Sequence, residues 1–292
     1  MTGTQAHQPT GLALYDRTAD DAAAAVIRAY STSFGMATRI LGRRVRTHVR
    51  NIYALVRVAD EIVDGPAEEA GLDAAARTEL LGELERSVAS AIAGGFSANL
   101  IVHAFARTAR DCRIGTDLTG PFFASMRTDV TTAVHDSASH DAYVYGSAEV
   151  VGLMCLAAFR NAGVRRPAPD DPDLTEAARA LGRAFQDINF LRDRDDDATR
   201  LGRDYIDAAD EAGRTIVLDR VDADLAHAAA AADRLPPDCR RAVVAAHDLF
   251  AELSARLRTA PDDSGRVRVP GPVKAAIVLR ATAGAPARTA AS

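Results

Sequence analysis

Apolar residues recur along this chain at three- and four-residue intervals, the period of helices packed on one face, and nowhere alternate as a half-buried strand would. A first helix is predicted from Thr18, with Asp21 three residues on as a capping box, running through AAAAVIRAY until Gly35 interrupts it. A second spans Arg46 to Asp64 and stops at Gly65-Pro66, a glycine cap followed by a breaker. Further helices are expected over Leu72–Ala93, Asn99–Cys112, Thr119–Val134, Ser137–Asn161, Pro172–Thr199, Ile216–Arg234 and Pro237–Arg258. The segment PDDSGRVRVPGP reads as a polar loop, with a short helix after Pro272. No linker breaks the run. The expectation is one all-α domain over 16–281, with flexible ends at 1–15 and 282–292.

The second helix carries a conflict. At about 100° per residue, Tyr53, Arg57, Asp60 and Asp64 fall in one narrow stripe of a helix that is apolar nearly all round. Like charges four residues apart on a helix repel by a few tenths of a kcal/mol, and more when buried. Two readings stand: a buried Arg57–Asp60 ion pair, or a site that brings in a cation. A second run, QDINFLRDRDDDATRLGRDY, repeats the spacing at Asp193 and Asp197, with Gln186 and Asn189 on the same side and Leu181, Ala184, Ile188 and Leu191 opposite. Alone it would be a solvated acidic face. Two D-x-x-x-D pairs in one helical domain point to diphosphate ionisation, because carboxylates suit Mg²⁺, which binds through one or two of them plus substrate phosphates. Arg57, Arg192 and Arg203 have the planar fork that grips phosphate oxygens in pairs.

Composition narrows this further. The 292 residues are 48% hydrophobic and 26% charged with a net charge of -5, an ordinary globular balance that argues against a nucleic-acid binder. Cys112, Cys155 and Cys239 are widely spaced and read as reduced thiols. No signal-peptide pattern opens the chain, and the most apolar stretch, Ala142 to Phe159, is broken by Gly146, Glu149 and Gly152. HDSASHD (135–141) is not a metal cluster, since its histidines do not share a helical face. No dinucleotide fingerprint, P-loop, G-x-S-x-G or H-E-x-x-H occurs.

Five segments in order resemble the squalene/phytoene synthase family: YSTSF (30–34), YALVRVADEIVD (53–64), YVYGSAEVVG (143–152), QDINFLRDRDDD with GRDY (186–205), and RVRVP with Lys274. The resemblance implies an all-α, single-domain isoprenoid synthase fold, a helical bundle around a central active-site cavity. It implies Mg²⁺, with Mn²⁺ as a substitute, at Asp60/Asp64 and Asp193/Asp197, with Asn189 as a neighbour. It also implies substrate contacts by Ser31, Ser33, Tyr53, Arg57, Tyr143, Gln186, Asn189, Arg192, Arg203 and Tyr205. The implied reaction joins two allylic diphosphates head to head through a cyclopropylcarbinyl diphosphate. Phytoene synthases then release a proton, whereas squalene synthases add hydride from NADPH.

The chain departs from the family at Thr32, where Lys or Arg is frequent, at Glu149 in place of Gly, and at Phe250 in place of Tyr. With Lys274 its only lysine, phosphate handling falls to arginines. The details lie nearest bacterial phytoene synthases, so the expected reaction condenses two geranylgeranyl diphosphates without NADPH. Rivals are a squalene or dehydrosqualene synthase using farnesyl diphosphate, and a non-catalytic member acting as an assembly or binding protein. Expected partners are prenyl diphosphates, with no nucleic acid. A monomer or weak homo-oligomer is expected in the cytoplasm, peripheral to the inner face of the membrane when product is released. Ala148, Gly152 and Cys155 read both as close helix packing and as room for a prenyl tail, and Phe122, Phe123 and Met126 as core.

Overall fold

A computed structural model describes residues 10–31, 33–131, 137–164, 169–200, 211–260 and 266–288, without the side chains of 33–34, 137–139 and 194–200. Every regular element among them is helical. In order they are α1 (Gly11–Tyr30), α2 (Ser33–Ile40), α3 (Arg43–Val63), the single turn α4 (Pro66–Glu69), α5 (Ala74–Gly94), α6 (Leu100–Cys112), α7 (Thr116–Thr131) and α8 (Ser137–Val144). A π-helical turn over Tyr145–Glu149 leads into α9 (Val150–Asn161). Then follow α10 (Pro172–Arg200), α11 (Glu211–Ala231) with a 3₁₀ turn after it, α12 (Pro237–Thr259) and α13 (Gly271–Thr282).

Local signals account for several boundaries. The Asp73 carboxylate accepts the Ala76 N–H to start α5, and Gly95 ends it at φ 84°, a left-handed cap that glycine takes without strain. The Asn99 side chain accepts the Ile101 and Val102 N–H groups to start α6. The first helix departs from expectation. It begins at Gly11, so Tyr15, placed by sequence in the N-terminal extension, is helical and packs on Phe96 and His103. Thr18 is therefore no cap; its hydroxyl bonds back to the Leu14 carbonyl inside the helix. The break falls at Ser31, which is extended, and Gly35 lies within α2.

Two apolar cores support the chain. One gathers α3, α5, α6, α7 and α9 around the fully buried Leu55, Phe105, Phe122 and Phe123, each worth about 1.5–3 kcal/mol of burial. The other joins α10, α11, α12 and α13 around Ile188, Val221 and Leu253. The 29-residue α10, about 43 Å long at 1.5 Å per residue, runs from one to the other: Leu174 and Ala177 pack in the first core, Ala184 and Ile188 in the second. A cavity opens between the two cores, with α3 on one side and α10 on the other.

Where α9 meets α10 the backbones nearly touch. A Cβ on Gly152 would lie 2.5 Å from the Ala178 carbonyl oxygen, and one on Gly182 would lie 2.7 Å from that of Ala148. Both glycines also line the cavity, so small residues here serve close packing and open space together. The helical stretch His140–Asn161 is long and apolar enough to cross a membrane, but 56% of its apolar 18-residue window is buried inside the protein.

Candidate active site

The cavity has a volume of about 680 Å³, with one polar end and a long apolar remainder. At the polar end α3 presents Tyr53, Arg57, Asp60 and Asp64, as their shared stripe requires. Asp64 caps the helix, its N–H bonded to the Asp60 carbonyl at 2.8 Å, and Gly65 at φ 126° turns the chain away at once. From α10, Gln186, Asn189, Arg192 and Asp193 face the same space. The apolar part is walled by small side chains such as Ala148, Ala178, Ala231 and Ala242, with Leu156, Phe159 and Leu174. Leu181, assigned by periodicity to the back of α10, lines this part too.

Burial raises the Asp60 carboxyl well above the usual carboxylate range, and the nearby charges of Asp64, Asp129 and Glu61 add to this, with Arg57 opposing. Of the two readings of this stripe, the Arg57–Asp60 ion pair does not form. Arg57 instead bonds Glu61, one turn along α3, and lies over the Tyr30 ring 4.5 Å from its centroid. Its Nε is buried without a hydrogen-bond acceptor, a donor left for something else at the cavity. Opposite, Asp193 accepts Arg192 Nε at 2.8 Å and Arg266 Nε at 2.9 Å, which ties α10 to the segment before α13.

The remaining predicted residues divide clearly. Ser31, at the end of α1, lines the cavity and hydrogen-bonds the Tyr53 hydroxyl, whose pKa is raised chiefly by burial. Tyr143 lines it as well, its hydroxyl donating to Asp129 at 2.9 Å. The side chains of Ser33 and Asp197, and all of Arg203 and Tyr205, lie outside the described residues. Sequence reasoning missed Asp129, a buried carboxylate on α7 that faces the cavity, and Arg266. The three residues expected as core, Phe122, Phe123 and Met126, are all core, and Met126 also reaches the cavity wall. Phe250, at the position where a tyrosine was expected, stacks on Phe185 at 3.7 Å between centroids on the same wall. Glu149 points away from the cavity into an ion-pair network: Arg179 Nε bonds it at 2.6 Å and Arg183 stands at 3.3 Å.

The donor set fits a hard divalent cation. Asp60 and Asp64 lie one turn apart, and burial first, then the charge of Asp64, raises the Asp60 pKa, a penalty on the carboxylate that a cation would relieve. Among the described residues no three acidic, histidine or cysteine side chains stand close enough to hold a metal unaided. A cation here would therefore complete its shell from a ligand's oxygens, as Mg²⁺ does with phosphates. Carboxylates and arginines at one end and alanines along the rest make a site for a molecule with an anionic head and a long apolar tail.

Known proteins give the same picture. A family model described as squalene/phytoene synthase matches residues 27–213. The phytoene synthase of Cereibacter sphaeroides is 31% identical over 255 residues, which is 79% of this chain and 69% of that protein. The 15-cis-phytoene synthase of a Paracoccus species is 30% identical over 261 residues, 82% of each. Among solved structures, a dehydrosqualene synthase in complex with a ligand superposes with a TM-score of 0.74 at 20% identity, covering 92% of this chain and 97% of the other. A squalene synthase from Alicyclobacillus acidocaldarius gives 0.71 at 21%, covering 84% and 95%. These structures share the all-α isoprenoid synthase fold.

Proposed function

The chain belongs to the squalene/phytoene synthase family and is a prenyltransferase of that type, and we propose on that premise that it is a phytoene synthase. It would condense two geranylgeranyl diphosphates head to head, by way of a cyclopropylcarbinyl diphosphate. The observation that carries this reading is the cavity itself, with Asp60, Asp64 and Asp193 at one end and an alanine-lined apolar chamber beyond. The names of the two curated relatives support the C20 substrate.

In this reading Mg²⁺, or Mn²⁺ in its place, would be held by the Asp60/Asp64 pair on one side and by the Asp193/Asp197 pair with Asn189 beside it on the other, phosphate oxygens completing each shell, and would neutralise the diphosphate so that it can leave. Arg57 supplies its buried Nε to the departing oxygens. Arg192 and Arg266, now on Asp193, are within reach of the same head group. Ser31, Tyr53, Gln186 and Asn189 set the position of the two heads. When the C1–O bond of one substrate breaks, its allylic cation is attacked by the double bond of the other, and a proton and pyrophosphate are released. The apolar wall keeps water from that cation. The second pyrophosphate leaves during rearrangement, and loss of a further proton ends the sequence without NADPH.

The product is a long hydrocarbon, so we place the enzyme in the cytoplasm with peripheral contact to the membrane's inner face at release, as a monomer or weak homo-oligomer. Pyrophosphate release measured on geranylgeranyl and farnesyl diphosphate tests the substrate. A higher kcat/KM on the C20 substrate is expected, and a clear preference for the C15 substrate would overturn that assignment.

A further inference from the structure

Outside the cavity wall, at the corner where α1, α2 and α3 meet, four arginines come together with no acid among them. Arg46 and Arg50 lie one turn apart on α3, Arg39 is in the last turn of α2, and Arg28 in the last turn of α1. Elsewhere the arginines of this protein mostly hold carboxylates, as Arg44 holds Asp238, Arg107 holds Asp20 and Arg220 holds Asp187. At this corner Arg46 donates only to the Leu41 carbonyl. Among the described residues, no carboxylate or carbonyl accepts from Arg28, Arg39 or Arg50. Arg50 is half-buried, and its Nε is fully shielded without an acceptor. Such a donor is costly to leave unmade, and like charges around it raise the cost.

Burial lowers the Arg50 pKa first, and the charges of Arg46, Arg28 and Arg39 lower it further, in keeping with their places at one corner. In a chain of net charge -5 this local excess of positive charge is a specific feature, not a reflection of the whole surface. Guanidinium groups from several elements, offering unused N–H donors, match the oxygens of a phosphate group. We infer that the α1–α2–α3 corner is a phosphate-binding site, separate from the Asp60/Asp64 end of the cavity, for a free pyrophosphate-class anion or the phosphate head of an anionic lipid.

Position makes either source reasonable. Arg28, Arg39 and Arg50 are chain neighbours of the cavity-lining Ile27, Thr38 and Val49, so the site lies one helix wall from the chamber. Along α3, Arg50 and Asp60 are ten residues apart, a rise of about 15 Å at 1.5 Å per residue, and Arg50 does not line the cavity.

The test compares the full chain with Arg46→Gln/Arg50→Gln, neither residue having a place in the active site. Inorganic pyrophosphate is titrated calorimetrically in Mg²⁺-containing buffer. In parallel, both proteins are sedimented with phosphatidylcholine vesicles with and without phosphatidylglycerol. If the source is a free phosphate, the wild type shows two classes of pyrophosphate site and the variant keeps one. If it is a lipid, the wild type sediments with the phosphatidylglycerol vesicles and the variant at least tenfold less. Arg39→Glu, at an exposed position, should cause the same loss and guards against a misfolded double variant. In phosphate-free buffer Arg50→Gln should melt no lower than wild type, since it removes unbalanced charge. Equal behaviour of wild type and variants in both titration and sedimentation would overturn the inference.

Discussion

Glu149 receives the Nε of Arg179 at 2.6 Å from inside the π-helical turn, and so fastens the start of α9 to α10 directly beside the close approaches of Gly152 to Ala178 and of Gly182 to Ala148. Arg183 joins from the next turn of α10 and passes the link on to Asp224 of α11 at 2.9 Å. The carboxylate is buried while Arg179 is partly exposed, so removing it leaves Arg179 and Arg183 only Glu176 and Asp224 as acidic partners. Glu149→Ala should lower stability by about 2–3 kcal/mol, the low end for a broken buried pair because solvent screens the arginine side. A urea midpoint unchanged from wild type would show that the pair is not holding α10.

The close approach of the same helices makes its own prediction. In Gly182→Ala the new Cβ would meet the Ala148 carbonyl oxygen at 2.7 Å, and that neighbour is backbone, which cannot rotate away. The helices must part. The expected cost is about 1–3 kcal/mol, the range for overpacking, with a fall in kcat because α10 carries Gln186, Asn189 and Asp193. Normal turnover and normal melting together would refute the contact.

Asp60→Asn should separate stability from activity. The raised pKa of Asp60 means the folded metal-free protein binds that proton more tightly than the unfolded chain does. Its favourable contribution is therefore complete below about pH 3.9, the unfolded value, and is lost as pH rises through the folded value. At neutral pH the metal-free variant should be more stable than wild type by about 1 kcal/mol, some 2–4 °C in Tm for a chain of this size. The gap should narrow on acidification. Activity should fall on the order of 100-fold or more, as when a charge-stabilising group is lost. Full activity in this variant would remove Asp60 from the site.

Asp248 titrates in the opposite sense. Burial alone would raise its pKa, but hydrogen bonds from His247, the Arg288 N–H and Arg280 outweigh it and hold the carboxyl below its ordinary value. Its contribution is present above about pH 3.9 and is lost as pH falls through the lower folded value. These bonds fasten α13 and the chain after it to α12. Asp248→Ala should cost about 3 kcal/mol and speed amide exchange across Gly271–Thr282, most visibly at neutral pH. Exchange in that helix equal to wild type would contradict the anchoring.

Much of the fold and of the site is legible in the sequence. The 3.6-residue period located the long helices, and the stripe of Tyr53, Arg57, Asp60 and Asp64 does face one cavity. What the period could not carry is the partner of each charge. Arg57 turned to Glu61 because both lie on one helix four residues apart, a choice of rotamer rather than of pattern. Asp129 was missed because it is a lone acid on α7 whose partner, Tyr143, belongs to another helix. The chamber's alanines were silent too, since alanine fits a packed core and a cavity wall equally. Thr18 misled because a threonine inside a helix offers its hydroxyl to the preceding turn instead of capping a new one.

The hydrocarbon made from geranylgeranyl diphosphate by the purified protein with Mg²⁺ and no NADPH identifies the reaction. Phytoene is expected, unchanged in amount when NADPH is added. No turnover of that substrate, or a C30 product from farnesyl diphosphate alone, would contradict it.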